Sequence, residues 1–468
     1  MTGCFPRFVT AALRGGAGKT TLSLGMIAAW KDLGRRVAVF KKGPDFIDSA
    51  WLSLAAKAPC RNLDTYLFSP GVARRSFGAH ADPGGLSLIE GNRGLYDGLD
   101  SRGTHSTAEL AKLLRAPVVL VLDCGKVTRT MAAMVLGCRN LDPGVDLRGV
   151  ILNQVARSRQ EQVLRAAISE CCDLPVWGAV PRMDDFPFPE RHLGLTPPQE
   201  HRWVSKALEK AADAARKYLD LEEIWRMAHE APAFSWDPEE GEERLERRAL
   251  PQPSIGVLKD SAFQFYYPEN LQALAERGAR LIEISAVRDR GLPELDALYI
   301  GGGFPETHAE PLAANASFRR SLRQAIEEGL PVYAECGGLM YLGESLALGD
   351  RCYPMVGALP AAFAMEKRPQ GHGYTLLEVE RENPFYPSGL VFKGHEFHYS
   401  RVLSLRDSGV YFAFRVRRGA GIQGSQDGLG YKNVLATYSH VHALGTKDWA
   451  EGLIRAAAGR RLAVSAAV

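Results

Sequence analysis

The chain has 468 residues, of which 46% are hydrophobic and 24% charged, and its formal net charge at pH 7 is +3. This composition is typical of a globular protein and excludes an extended disordered chain, while the length predicts two domains. The small net charge, without a dominant Lys/Arg-rich tract, argues against nucleic acid as a partner.

The eight cysteines include no C-x-x-C pair. Neither a disulfide framework nor a zinc ribbon is therefore predicted, and a reducing compartment fits best. The segment before the first glycine-rich loop is too short for a signal peptide, and no apolar run approaches the length of a membrane span. We expect a cytoplasmic protein without a membrane partner.

In the first half of the chain, short β-branched runs alternate with helical stretches, which is typical of a mostly parallel sheet wrapped by helices. Strands are predicted at 8–13, 37–42, 86–91, 117–123, 147–154 and 175–180. A helical pattern over 203–229 is followed by a Glu/Arg-dense segment that ends at Pro251 and Pro253. These features predict an N-terminal domain over 1–230, a linker over 231–252 and a C-terminal domain over 253–468.

A glycine-rich loop, R-G-G-A-G-K-T-T at 14–21, lies between the first predicted strand and a helix predicted over 22–33. In such a loop backbone N–H groups converge on phosphate, Lys19 neutralises its charge and Thr20 offers an oxygen to Mg²⁺. We predict ATP binding by seven residues of this loop and the first helical turn: Gly15, Gly16, Ala17, Gly18, Lys19, Thr20 and Thr21.

The loop departs from the strict phosphate-binding pattern, which has glycine where Leu13 stands. Arg14 occupies the position at which one branch of these ATPases carries a lysine that reaches across a dimer. A homodimer contact and a solvated surface side chain are both open interpretations of Arg14.

Two later segments place carboxylates directly after predicted strands: K-K-G-P-D-F-I-D at 41–48 and E-G-N-R-G-L-Y-D-G at 90–98. Ligands of open parallel sheets bind at the carboxyl ends of the strands, and Mg²⁺ prefers hard oxygen ligands. The pattern predicts a Mg²⁺ site made of Thr20, one or two of these carboxylates and phosphate oxygens.

The second half begins another α/β series, with strands predicted at 255–258, 279–284, 297–300 and 331–336. Strands of antiparallel type follow at 374–379, 391–399, 411–416 and 434–438. Cys336 ends the last strand of the first series and precedes two glycines and a helix predicted over 339–346. This strand-turn-helix order is like a nucleophile elbow, in which a helix N-terminus and a histidine favour the thiolate.

Three glycines at 301–303 end another strand of this half. Their backbone N–H groups, together with that of Gly337, can stabilise an oxyanion. The predicted oxyanion hole consists of Gly302, Gly303 and Gly337, and the predicted nucleophile is Cys336.

The pattern K-x-G-P-D-F-I-D, followed by E-G-x-x-G-L-Y-D-G and by S-T-A-E-L-A-K at 106–112, closely resembles the cobyrinic acid a,c-diamide synthases. The similarity covers nearly the whole chain. It implies an α/β protein in which a dethiobiotin-synthetase-like phosphate-loop domain precedes a class I glutamine amidotransferase domain. ATP would phosphorylate an acetate side chain of a tetrapyrrole, and ammonia from glutamine would displace the phosphate.

The resemblance also implies roles for individual residues. Asp45 and Glu90 would lie near Mg²⁺, and Asp97 would act catalytically near the substrate carboxylate. His440 matches the base of the tetrapyrrole-type glutaminases and would pair with Cys336. Because bulk water would protonate free ammonia, a protected path between the two sites is expected.

Several questions are open from the sequence. Asn92 and Arg93 differ from the more apolar pair expected of corrinoid-pathway members, so the ring is cobyrinic or hydrogenobyrinic acid, or alternatively siroheme or (Ni-)sirohydrochlorin. The order of the two amidations and the oligomeric state, for which a homodimer is one option, are also left open by the sequence. A nucleotide-switch ATPase with the same type of phosphate loop is the alternative from another class.

The group that orients His440 is a further open question. Most glutaminases of this fold carry a glutamate two residues after the base, where this chain has His442. The resemblance implies that something else orients His440. His395 and His398 lack the spacing of a metal-binding H-E-x-x-H helix, which favours a structural or orienting role.

Overall fold

The computed structural model describes residues 1–183, 190–191, 194–195, 198, 203–241 and 252–467. The chain divides into two compact units, Met1–Glu242 and Glu243–Val468. Thr2–Gly3 pairs antiparallel with Phe234–Ser235. Residues 234–235, within the segment predicted to be a linker, are therefore part of the first unit.

The first unit is built on a parallel sheet, and the structure describes eleven strands in this unit. They are β1 (Thr2–Gly3), β2 (Arg7–Ala12), β3 (Val37–Lys42), β4 (Arg61–Leu63), β5 (Leu86–Glu90), β6 (Val118–Asp123), β7 (Leu147–Val155), β8 (Val176–Pro181), β9 (Glu190–Arg191), β10 (Gly194–Leu195) and β11 (Phe234–Ser235). Seven of them form a sheet in the order β4-β3-β5-β2-β6-β7-β8, in which all neighbours are parallel. The six predicted strands are all present, and β2, which leads into the phosphate loop, is the central one.

Helices cover this sheet. They are α1 (Lys19–Asp32), α2 (Ile47–Ala56), α3 (Pro70–His80), α4 (Thr107–Leu114), α5 (Thr130–Leu141), α6 (Ser158–Cys172), α7 (Val204–Tyr218) and α8 (Leu221–His229). A Cβ at Gly25 would lie 2.5 Å from the carbonyl oxygen of Ala211, so α1 and the alanine-rich α7 pack with their backbones close together. This packing fixes the helix that begins in the phosphate loop.

The second unit is built on a mixed sheet. Its strands are β12 (Ser254–Leu258), β13 (Phe263–Phe265), β14 (Arg280–Ile284), β15 (Ala297–Ile300), β16 (Gly302–Gly303), β17 (Val332–Glu335), β18 (Ser345–Leu348), β19 (Arg351–Pro354), β20 (Ala361–Met365), β21 (Gly371–Val379), β22 (Val391–His398), β23 (Ser400–Leu405), β24 (Tyr411–Arg418), β25 (Gln426–Tyr431) and β26 (Val434–Thr437). Nine of them form the order β14-β12-β15-β17-β26-β25-β24-β21-β22. The first five are parallel to one another and the remaining pairs are antiparallel. The two predicted series are therefore present, but β26, predicted within the antiparallel series, pairs parallel with β17 and antiparallel with β25.

Among the described residues of this unit, five α-helices accompany these strands: α9 (Pro268–Glu276), α10 (Ala309–Ala314), α11 (Ala316–Glu327), α12 (Gly337–Leu342) and α13 (Lys447–Ala467). The helix predicted over 339–346 was wrong in its extent, because α12 ends at Leu342 and residues 345–348 form β18. Gly343 has an extended backbone, with φ −64° and ψ 177°, and a Cβ there would lie 2.7 Å from the carbonyl oxygen of Ala361, so the chain leaves the helix at a glycine that packs closely against β20. Within the described ranges, no helix has the length and apolar character needed to cross a membrane.

Candidate active sites

The phosphate loop connects the central strand β2 to α1 in a conformation that needs glycine. Gly16 has φ +72° and Gly18 has φ +88°, values that residues with a side chain rarely adopt. Asn153 at the end of β7 donates a hydrogen bond from Nδ2 to the carbonyl oxygen of Ala17 at 2.9 Å and so holds the loop in place. The strand-loop-helix order predicted from the sequence is present, and the N-terminus of a helix in this position is suited to an anion. Asn153 was not predicted.

Lys19 is buried at the start of α1. Its Nζ donates to the carbonyl oxygens of Arg93, at 2.7 Å, and Arg14, at 3.4 Å. Burial, and then the neighbouring positive charge of Lys41, lower the pKa of Lys19 to about 8. Its charge is therefore sensitive to pH in a range that an assay can reach.

Carboxylates from β5 and the start of α2 gather around Lys41, a buried residue of β3. Its Nζ donates to Glu90 Oε1 at 2.7 Å and to Asp48 Oδ2 at 2.6 Å. The hydroxyl of Thr20 donates to the same Glu90 oxygen at 2.8 Å, and the N–H of Asp48 donates to Asp45 Oδ1 at 2.7 Å. The structure thus brings the predicted Mg²⁺ ligands Thr20 and Glu90 into contact, and it links Asp45 to Glu90 through Asp48 and Lys41.

The charges in this group are strongly coupled. Burial raises the pKa of Glu90, against the opposing effect of Lys41. Burial and the charge of Asp48 raise the pKa of Asp45 to about 7. Burial alone would lower the pKa of Lys41, but Asp48 and Glu90 outweigh it and raise that pKa, so Lys41 stays charged.

The oxygens near the phosphate loop fit Mg²⁺ in particular. Among the residues that the structure describes, no group of three or more His, Cys, Asp or Glu side chains is arranged to hold a metal. Mg²⁺ commonly takes only one or two carboxylates and completes its shell with water and phosphate oxygens. Glu90 Oε2 is buried without a hydrogen-bond partner in the described part of the chain, so it is an acceptor suited to such an ion.

Asp97 lies in a turn that contacts the phosphate loop. It accepts a hydrogen bond at Oδ2 from the N–H of Gly94 at 2.8 Å. A Cβ at Gly94 would lie 2.6 Å from the carbonyl oxygen of Leu13, so the turn passes close to the loop. Arg14 is exposed, and its Nη2 lies 2.6 Å from Asp123 Oδ2 within the same unit.

The predicted cysteine site forms where three neighbouring parallel strands of the second unit end. β15, β17 and β26 are adjacent, and their carboxyl ends lead to Gly302, Cys336 and His440. A Cβ at Gly302 would lie 2.4 Å from His440 Cε1, and one at Gly337 would lie 3.1 Å from the nitrogen of Gly303. The structure therefore brings together the predicted base and the predicted oxyanion-hole glycines, and a side chain at position 302 would displace the base.

Cys336 has the strained backbone of an elbow, with φ +48° and ψ −99°, between the last residue of β17 and the first of α12. Its N–H donates to the carbonyl oxygen of Thr437 at 2.7 Å, which ties the elbow to β26. Burial, and then the negative charge of Glu306, raise the pKa of the Cys336 thiol. A thiol of this kind needs a base in order to act as a nucleophile.

His440 is paired with a carboxylate that the sequence analysis did not single out. Its Nδ1 lies 3.2 Å from Oε2 of Glu335, the residue before Cys336. The side chains of Glu335 and His440 are only 1% and 3% exposed. A charged residue at the end of an otherwise apolar, fully buried strand was the available signal, since unpaired carboxylates are seldom buried.

The other histidines of this region lie around the base. His395 stacks on His440 with ring centroids 5.0 Å apart, and the two residues exchange backbone hydrogen bonds. Burial, and then the proximity of His440 and His442, lower the pKa of His395 well below its ordinary value. His442 Nε2 lies 3.7 Å from Glu269 Oε2, and its ring lies 4.5 Å from that of Tyr267.

His398 belongs to a separate buried contact. Its ring stacks on Tyr438 with centroids 3.6 Å apart, and its Nδ1 lies 2.8 Å from the carbonyl oxygen of Ser400. Its Nε2 lies 3.6 Å from Glu396 Oε2, an oxygen that also accepts from the N–H of Gly421. These contacts fit the structural role expected for His398.

Two family models match the chain, one in each unit. Residues 8–195 match the CobQ/CobB/MinD/ParA nucleotide binding domain, and residues 254–448 match the CobB/CobQ-like glutamine amidotransferase domain. The chain is also similar to curated proteins over nearly its whole length. It is 41% identical to the cobyrinate a,c-diamide synthase of Magnetococcus marinus over 453 residues, which cover 96% of this chain and 97% of that protein.

Archaeal proteins of the same name are comparably similar. The chain is 39% identical to the cobyrinate a,c-diamide synthase of Methanothermobacter thermautotrophicus over 452 residues, covering 96% of this chain and 99% of that protein. It is 39% identical to that of Archaeoglobus fulgidus over 453 residues, covering 97% of each.

Proposed function

Because the chain belongs to the family of cobyrinate a,c-diamide synthases, ligases that form C–N bonds with glutamine as the amido donor, we propose that it amidates the a and c acetate carboxylates of a cobyrinate-type ring. The ring would be cobyrinic or hydrogenobyrinic acid, and ATP would supply the energy. The observation that carries the proposal is that one chain contains both a phosphate loop with Lys19 and a cysteine elbow with His440.

In the proposed ATP reaction, an oxygen of the substrate carboxylate attacks the γ-phosphate and forms an acyl phosphate, while ADP leaves. Lys19 and the N–H groups of the phosphate loop stabilise the charge on the phosphate oxygens. Thr20 and Glu90, with Asp45 nearby, would hold Mg²⁺, which supplies charge neutralisation to the β- and γ-phosphates. Asp97 is proposed to lie near the substrate carboxylate.

In the proposed glutaminase reaction, His440 takes the proton of the Cys336 thiol, and the sulfur attacks the amide carbon of glutamine. The N–H groups of the predicted oxyanion hole stabilise the tetrahedral intermediate. His440 then returns the proton to the leaving ammonia, and water hydrolyses the thioester to glutamate. The ammonia attacks the acyl phosphate, which releases inorganic phosphate and leaves the amide.

A nucleotide-switch ATPase is the weaker candidate. The first family model does include switch proteins of the MinD and ParA type. A nucleotide switch does not require a cysteine at an elbow, however, nor a histidine and glycine N–H groups at the ends of the neighbouring strands. Glutamine hydrolysis that depends on Cys336 would decide between the two.

The proposal is tested by incubating the protein with ATP, Mg²⁺, glutamine and each candidate ring in turn. Cobyrinic or hydrogenobyrinic acid is expected to undergo two carboxyl-to-amide conversions, detected by mass spectrometry, with release of ADP and glutamate. If only siroheme or Ni-sirohydrochlorin were converted, the substrate would be that alternative ring. Conversion of no ring would overturn the substrate class.

The affinity for ATP is expected to weaken as the pH rises above about 8, because Lys19 then loses its charge. While the bound state keeps the proton, Kd should rise by up to about tenfold per pH unit. Calorimetric titration with a non-hydrolysable ATP analogue between about pH 7 and 9.5 measures this, since the phosphates titrate below that range. Lys19→Arg should bind without this pH dependence, and a wild-type Kd that stays constant would contradict the expectation.

A further inference from the structure

The base of the cysteine site meets a carboxylate from the nucleophile's own strand. Glu335 is the last residue of β17, Cys336 follows it, and Glu335 is in register with Thr437 on the parallel strand β26. Three residues beyond Thr437, His440 places its Nδ1 3.2 Å from Glu335 Oε2. One short segment thus supplies both the thiol and the carboxylate partner of the base.

Both oxygens of Glu335 are held by further donors. The N–H of Val441 donates to Oε1 at 3.3 Å, and the hydroxyl of Tyr299 donates to Oε2 at 3.3 Å. Burial, and then the charge of Glu335, raise the pKa of Tyr299 well above its ordinary value, so this hydroxyl remains a donor. The carboxylate is therefore fixed in one orientation toward His440.

This arrangement selects the useful tautomer of the imidazole. A carboxylate at Nδ1 accepts the Nδ1–H and leaves the lone pair on Nε2. On that side of the ring a Cβ at Gly302 would lie 3.2 Å from Nε2, so Nε2 lies beside one glycine of the predicted oxyanion hole. Deprotonation of a thiol requires a histidine in this tautomer, in which Nε2 is the nitrogen that accepts the proton.

A second buried carboxylate offers a direct comparison. Glu269 on α9 lies 3.7 Å from His442, the residue at the position where related glutaminases carry a glutamate. Glu269 therefore faces His442, whereas Glu335 faces His440. The two carboxylates are both nearly fully buried and differ in which histidine they contact.

We propose that Glu335 is a positioning residue of the glutaminase reaction and completes a Cys336–His440–Glu335 triad, an inference that rests on the proposed glutaminase function. Glu335 holds the Nδ1–H of His440 and stabilises the imidazolium that forms when the thiol proton moves to Nε2. The proton passes from sulfur to Nε2 and then to the departing ammonia, and Glu335 keeps its charge throughout.

Glu335→Gln tests the proposal, because the carboxamide keeps the shape but can donate to Nδ1 and favour the wrong tautomer. The kcat for glutamine hydrolysis is expected to fall by about 10²-fold or more with a small change in KM. Inactivation of Cys336 by 6-diazo-5-oxo-norleucine should slow in parallel. Glu335→Asp, which keeps the charge on a shorter side chain, should recover at least about tenfold of the lost rate.

Glu269→Gln is the matched control, since it makes the same change at the carboxylate that faces His442. It should leave kcat for glutamine hydrolysis within about threefold of the wild-type value. Amidation driven by added ammonia and the Tm report whether each variant is folded. Glu335→Gln is expected to keep the ammonia-driven rate.

The outcomes separate the possible failures. Glutamine hydrolysis by Glu335→Gln near the wild-type rate would refute the role of Glu335, as would an equal loss of the glutamine-driven and ammonia-driven rates. If kcat for glutamine hydrolysis fell more in Glu269→Gln than in Glu335→Gln, the orienting role would belong to Glu269 and His442 instead. Wild-type protein that hydrolyses glutamine but amidates none of the rings would contradict the proposed substrate and still allow the triad to be tested.

Discussion

Replacing Cys336 by serine is expected to abolish glutamine-driven amidation and to leave ammonia-driven amidation intact. The serine hydroxyl is a much weaker nucleophile than a thiol, and in the proposed reaction His440 removes the proton of a thiol that is held at a strained elbow. We expect a loss of about 10⁴-fold or more in kcat with glutamine, as is usual when a catalytic nucleophile is removed. The measurement is amide formation by mass spectrometry with either glutamine or an ammonium salt at a pH where free ammonia is present.

Cys352→Ser is the control for this experiment, because Cys352 is an exposed cysteine of the same unit. It should amidate at the wild-type rate with both nitrogen donors. Glutamine-driven amidation that survives in Cys336→Ser would remove Cys336 from the mechanism. Loss of the ammonia-driven reaction as well would mean that the cysteine does more than release ammonia.

The parts of the fold that local sequence dictates were predictable. Gly16 and Gly18 adopt the positive φ angles that only a glycine-rich loop allows, and the buried strands on either side of α1 read as apolar runs. The helix after Cys336 was predicted too long, because residues 345–348 form β18 and pair with β19 and β20, which come later in the chain. The sequence close to Gly343 does not indicate how this segment packs against those strands.

The partners of the catalytic groups depend on register between distant strands, which a single sequence does not show. Glu335 and His440 are 105 positions apart, and Lys41 and Glu90 are 49 apart. In each case the strand pairing decides which buried carboxylate meets which base. Cys336 is predictable from the two glycines and the helix that follow it, whereas the proposed role of Glu335 depends on the pairing of β17 with β26.

Replacing Lys19 by alanine is expected to stop amidation with either nitrogen donor while glutamine hydrolysis at Cys336 continues at its basal rate. Lys19 is a buried cation at the start of α1, and in the proposed reaction its charge stabilises the transferring phosphate. We expect a fall of about 10²- to 10³-fold in the ammonia-driven rate. Release of ADP and formation of the amide measure the amidation, and formation of glutamate measures the hydrolysis of glutamine.

The matched control is Lys31→Ala, which removes a lysine from the last turn of the same helix. It should retain both reactions, since it lies at the opposite end of α1 from the phosphate loop. Ammonia-driven amidation by Lys19→Ala at the wild-type rate would disprove the role of the loop in activating the carboxylate.

A mixture of the two variants with ATP, the ring and glutamine tests how ammonia moves between the two sites. Cys336→Ser is expected to lack only the supply of ammonia from glutamine, and Lys19→Ala is expected to lack only the activation of the carboxylate. Restored amidation would require that ammonia crosses bulk solvent between molecules, whereas no recovery would indicate transfer within one molecule.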